Sequence, residues 1–239
     1  MKRKNGDDDV FGFGQLIGIL KKNPKKIVFT EGEDPRILEA SSRLLASYFL
    51  HPILIGDEKR IADAAEESGF NIRGAEIIDP EKFDKIDEMV ELYCELRKKK
   101  GVTPDQAREI LKQANYFGTM LVKMGFADAL LGGATYSTAD TVRPALQLIK
   151  TKPGNNLVSS CFILVRPSAT GDNEVLAMGD CAININPTED DLVEIAGETA
   201  KCARIFDVDP KIAFLSYSTH GSGTVSYTHL RAHETCADL

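Results

Sequence analysis

Two arginines, Arg97 and Arg143, sit among residues that could make an anion site. In "GGATYSTADTVRPALQ" (132–147) two glycines close a strand-like run, Tyr136, Ser137, Thr138 and Thr141 supply hydroxyls, and Arg143 follows directly. A helix opening at the carboxyl end of a strand presents free N–H groups, and a guanidinium adds a two-pronged charge, so this stretch could hold phosphate or carboxylate. The plainer reading is a well-capped helix whose arginine faces water, and the residue types alone leave both open. Arg97 opens the four-cation run of "ELRKKKG" (95–101) at the end of a helical pattern. Cations suit a helix C-terminus and a charge run is ordinarily a solvated face; ligand binding by Arg97 is the alternative. In "FLSYSTHGSGT" (214–224) hydroxyls at Ser218 and Thr219 stand beside glycines, a composition that lets backbone approach phosphate closely and that equally suits an ordinary loop.

Three other stretches offer chemistry that their context weakens. "TEGED" (30–34) follows a strand and opens a helix, but its three acids would repel phosphate, so it reads as a loop ending in the N-cap Asp34. "GFGQLIG" (12–18) has no preceding strand and the wrong spacing for a dinucleotide loop. "SYTHLRAHETCADL" places His229, His233, Glu234 and Cys236 within eight positions. A structural zinc site wants four protein ligands, and no CxxC completes this set, so no metal is expected.

The 239 residues can bury a sizeable core. A net charge of −7 argues against nucleic acid or a membrane surface as partner, so an anionic ligand must meet locally placed arginines. Five scattered cysteines read as reduced thiols in a cytoplasmic protein, no apolar run approaches a membrane span, and "MKRKNGDDDV" lacks the apolar core of a signal peptide.

The elements that must hold these residues alternate between short β-rich runs and helical patterns, the mark of a parallel α/β sheet. Strands are expected at 26–30, 52–56, 75–79, 127–133, 161–165, 175–179 and 211–215. One helix follows Asp34 and Pro35, with Ile37, Leu38, Ser41, Leu44, Leu45 and Tyr48 on its buried stripe. A second ends at Gly69, and a third runs from Glu81 to Lys100 along Phe83, Ile86, Val90, Tyr93 and Leu96. "TKPGNN" (151–156) breaks the periodicity and marks a domain boundary.

In this order and at these separations, "YCELRKKKG", "GGATYSTADTVRPALQ" and "LSYSTHGSG" resemble the signature segments of the phosphate acetyltransferase family, and "FTEGEDPRILEA" is similar to its opening strand and helix. The resemblance implies an isocitrate/isopropylmalate dehydrogenase-like fold, two α/β domains with the active site in the cleft between them. It implies reversible acetyl transfer between coenzyme A and inorganic phosphate, with no bound cofactor or metal, coenzyme A serving as substrate, in a homodimer. Arg97 and Arg143 match the family's arginines on the phosphate side of the reaction. Ser137 and Thr138 match hydroxyls near the acetyl phosphate pocket, and Ser218 and Thr219 a segment lining the cleft. The family's general base is an aspartate in a "DLSRG"-type segment.

This sequence contains no such segment, and the resemblance stops at Gly223 or Thr224. The last residues, "VSYTHLRAHETCADL", resemble a translated sequencing-library adapter. The expectation is therefore a truncated, inactive fragment: a leader and N-terminal helix over 1–24, a first α/β domain over 25–152, a partial second domain over 153–224 and a non-native tail over 225–239. Three rivals remain: a phosphate butyryltransferase, a non-catalytic acyl-CoA- or acyl-phosphate-binding regulatory domain, and a dinucleotide-binding oxidoreductase, the last weakened by the lack of a G-x-G-x-x-G at any strand-to-helix turn.

Overall fold

The structure is a computed structural model that describes residues 13–167 and 173–215. The described chain falls into two compact units, one spanning Leu16–Lys150 and the other made of the residues from Thr151 onward together with those up to Gln15.

Helix α1 (Phe13–Lys22), which enters the first unit at Leu16, leads into strand β1 (Lys25–Phe29), and α2 (Pro35–Ser47), β2 (Leu50–Ile55), α3 (Glu58–Ser68) and β3 (Glu76–Ile78) follow. Helices α4 (Ile86–Leu96), α5 (Pro104–Leu111) and α6 (Ala114–Lys123) then precede β4 (Ala129–Leu131) and α7 (Thr138–Pro144). The four strands form one parallel sheet in the order β3-β2-β1-β4, with Val28 level with both Ile53 and Leu130. A parallel sheet must be covered on both faces, and alternation along β1 supplies both: Val28 packs into the cluster with Phe117, Met120 and Leu121, Phe29 into the one with Leu38, Leu54 and Ile61.

Local chemistry explains the helix limits. Asp34 accepts from the Arg36 N–H at 2.9 Å and Pro35 occupies the first turn, as expected from sequence. Tyr48, expected on the buried stripe of α2, instead ends that helix at φ 56° and is 80% exposed. The helix expected over Glu81–Lys100 is shorter. Asp79 accepts from the Glu81 N–H and holds a turn ahead of α4, so Phe83 packs edge-on against Phe117 and Phe126, at 5.3 and 5.7 Å between ring centres, from outside the helix. At the other end Arg97 caps α4 and Lys98–Lys100 form a 3-10 turn. Gly118 lets α6 lie directly on the sheet: a Cβ there would come within 3.0 Å of Leu130 and Val28.

The second unit holds an antiparallel pair, β5 (Cys161–Pro167) and β6 (Asn173–Gly179), and one long helix, α8 (Glu189–Ile205), which opens with a reciprocal cap between Thr188 and Asp191. Residues 211–215, expected as a strand, pair in a ladder with none of the described residues. Their alternating pattern suits a strand, but a strand exists only where a neighbour completes its hydrogen bonds. Ile212 and Phe214 instead line a cavity of about 550 Å³ together with Ala177, Ile195, Thr199 and Ala200. Among the described residues no helix is long and apolar enough to cross a membrane and no cluster could hold a metal ion; the His229–His233 cluster lies outside them.

Candidate active site

β1 is the strand at which the sheet order reverses, because the chain steps outward to β2 and β3 and then returns to place β4 on its other side. Ligands of open α/β sheets bind at the carboxyl ends of the strands flanking such a reversal. Here those ends run into Thr30–Asp34 after β1 and Gly132–Ser137 after β4.

These two loops are tied together by a residue the sequence reading passed over. The Glu31 carboxylate, 9% exposed, accepts from the N–H groups of Gly133 and Thr135, each at 3.0 Å, and from the Thr30 hydroxyl at 2.8 Å. Burial pushes the Glu31 carboxyl up, but the Thr135, Thr30, Gly133 and Tyr136 hydrogen bonds outweigh it and hold the group below its ordinary value. Arg36 adds a second tie, donating to the Ala134 carbonyl at 2.6 Å. Gly132 is needed where the loops cross, since a Cβ there would lie 2.8 Å from the Thr30 hydroxyl. The N–H groups of Gly133 and Thr135, in the loop ahead of the helix, are thus already occupied by an internal anion. The signal available in the sequence was Glu31's place, the first carboxylate after the first strand.

α7 carries three of the expected residues. The Ser137 hydroxyl caps the helix, accepting from the Asp140 N–H at 3.2 Å and donating to the Asp140 carboxylate at 2.6 Å. Thr138 begins the helix and is exposed. Arg143 is exposed and lies 3.7 Å from the Asp140 carboxylate, a pairing that contributes at most about 1 kcal/mol and leaves the guanidinium free to turn toward a ligand. The well-capped helix and the anion site are therefore compatible: Ser137 is spent on the cap, whereas Thr138 and Arg143 remain available.

Arg97 behaves differently from the lysines that follow it. Lys98, Lys99 and Lys100 are exposed, but the Arg97 Nε is buried without a hydrogen-bond partner among the described residues. A buried guanidinium donor left unpaired is costly, which makes this atom a place where an acceptor would be favoured. The two arginine-bearing segments share neighbours: Tyr93 of α4 meets Tyr116 of α6 at 6.4 Å, and the Tyr116 hydroxyl donates to Gln147, four residues after Arg143, at 3.4 Å. Among the described residues no hydrogen bond or ion pair joins Arg97 directly to Ser137, Thr138 or Arg143. Ser218 and Thr219 lie outside the described residues.

The family described as phosphate acetyl/butaryl transferase matches residues 13–234. The chain belongs to this family. The matched span runs past Thr224, where the motif resemblance stops, into the last residues. The chain is 49% identical over 197 residues to the phosphate acetyltransferase of Bacillus subtilis, covering 82% of this chain and 59% of that protein. It is 44% identical to the phosphate acetyltransferase of Thermoanaerobacterium thermosaccharolyticum, covering 87% and 64% of the two chains. Its mixed α/β structure matches a phosphotransacetylase from Streptococcus pyogenes with a TM-score of 0.77 at 46% identity, covering 89% of this chain and 65% of that one. The EutD phosphotransacetylase from Staphylococcus aureus gives 0.76 at 42% identity, covering 90% and 65%. The chain thus spans about three fifths of the length of these relatives.

Proposed function

We propose that this chain carries the phosphate side of an acetyl-transferring site, serving the reaction acetyl-CoA + phosphate = coenzyme A + acetyl phosphate. The observation that carries the reading is the relationship, at 44–49% identity, to proteins named phosphate acetyltransferase. The buried, unpartnered Nε of Arg97 supports it locally. When a thiolate attacks the acetyl carbonyl, phosphate departs with added charge, and the guanidinium groups of Arg97 and Arg143 stabilise that charge more in the transition state than in the ground state. Thr138 donates to the phosphate oxygens, with Ser137 setting the turn from which it does so; Ser218 and Thr219 belong to the cleft wall in this reading. Coenzyme A enters as substrate, with no bound cofactor.

The finer architecture belongs to the same proposal: isocitrate dehydrogenase-like, with domains at 25–152 and 153–224, acting in the cytoplasm and as a homodimer. Acetyl is favoured over butyryl because the relatives compared are named for acetyl transfer.

Binding of acetyl phosphate and butyryl phosphate to the chain, followed by ³¹P NMR, tests the reading. We expect acetyl phosphate to bind more tightly and Arg97→Ala and Arg143→Ala each to weaken it about tenfold or more. Affinity unchanged by both substitutions would overturn it, and a preference for butyryl phosphate would transfer it to the butyryl branch.

A further inference from the structure

Pro144 is the last residue of α7 and follows Arg143 directly. Proline has no N–H, so the helical carbonyl four residues earlier, that of Asp140, loses its ladder donor. In this structure that carbonyl is satisfied from elsewhere: the Asn115 side-chain amide donates to it at 2.8 Å. Asn115 sits in the first turn of α6 and is 8% exposed. Its amide is held in one sense, because the oxygen accepts from the Tyr116 N–H at 3.0 Å and the nitrogen is thereby left to reach Asp140. The backbone around it is fixed as well, since the Asn115 carbonyl accepts from the Thr119 hydroxyl at 2.7 Å and Phe117, Met120 and Leu121 of the same helix are fully buried.

Asp140 is the hub of the turn that bears the proposed phosphate ligands. Its N–H and carboxylate both engage the Ser137 hydroxyl, and its carboxylate faces Arg143. Only its carbonyl reaches the core, and it does so through Asn115. We propose that Asn115 is a positioning residue for the phosphate side of the site: by replacing the donor that Pro144 removes, it anchors α7 to the rigid α6 and sets the direction in which Thr138 and Arg143 project. This role rests on the functional reading above, and it predicts a coupling between two residues that are not in that site, Asn115 and Pro144.

The test is a double-substitution cycle on the whole chain, read as acetyl phosphate affinity by equilibrium dialysis, with circular dichroism and the urea midpoint taken on the same samples. Asn115→Leu keeps the volume and removes the donor; it should weaken acetyl phosphate binding about tenfold. Pro144→Ala returns a main-chain N–H to the Asp140 carbonyl, so in that background Asn115→Leu should cost less than about twofold. If Asn115→Leu does not fold, Asn115→Ser, whose hydroxyl is too short to span the contact, takes its place in the same cycle. A folded Asn115→Leu chain that keeps its affinity, or a loss that Pro144→Ala does not repair, would overturn the role while leaving the functional reading standing. Absence of acetyl phosphate binding by the unsubstituted chain would overturn that reading and this role with it.

Discussion

The two units of this chain solve the problem of burying apolar surface to different degrees. In the first, four parallel strands carry apolar residues on both faces and helices cover both, so Val28, Leu38, Leu54, Phe117 and Met120 are sealed from water. The second offers one antiparallel pair and one helix among its described residues. Gly179 faces Thr199 of α8, while on the other side Phe162 and Leu164 of β5 stand directly opposite Met178 and Leu176 of β6 and remain 53, 42, 40 and 42% exposed. Two strands do not make an independently stable sheet, and such a face calls for cover. The proposed phosphate ligands that the structure describes, Arg97, Thr138 and Arg143, all stand on the first unit.

The largest effect is expected at Phe117, in the first unit's core. Phe117→Ala should destabilise the first unit by about 3–5 kcal/mol in urea unfolding, because it removes a fully buried ring and leaves a cavity in the core. A change below about 1 kcal/mol would show that this core is not the rigid body described. Glu31→Gln should cost the same unit about 1–3 kcal/mol by weakening the bonds from Gly133, Thr135 and Thr30. The Glu31 carboxyl is held below its ordinary value of 4.5 in the folded chain, so its contribution is complete above that pH and is lost as pH falls through the folded value. Glu31→Gln should therefore flatten the acid side of the first unit's stability profile, and an unchanged slope would contradict the network.

In the second unit, Thr188→Ala should cost about 1 kcal/mol through loss of the reciprocal cap on α8, read as faster hydrogen exchange in that helix alone. At the small end, Phe162→Thr should move stability by no more than about 0.5 kcal/mol while reducing self-association in light scattering. A loss of several kcal/mol there would mean that the hairpin face is already covered in solution.

What the sequence made legible follows from how local each cause is. The cap at Asp34, the stop at Gly69 and the strand-to-helix turn before Arg143 are written in neighbouring residues and could be read directly. Glu31 and Asn115 escaped because their partners lie about 100 and 25 positions away; Glu31's place after the first strand was a cue to it, whereas nothing near Asn115 announces its partner. The 211–215 run failed in the opposite way, since its pattern is right and its ladder partner is a matter of tertiary context. Arg97 shows a third case: composition placed it in a solvated cation run, and only packing distinguished its buried Nε from the lysines beside it.

The central claim, that the phosphate side of the site is built on the first unit by Arg97 and the α7 turn, is tested most directly by mapping amide shifts of the isotope-labelled chain on addition of acetyl phosphate. The account predicts perturbations concentrated at Arg97–Gly101 and Tyr136–Arg143, with Gly133 and Thr135 moving little because Glu31 already holds their N–H groups. Shifts confined to the second unit, or none at concentrations where acetyl phosphate is bound, would contradict it.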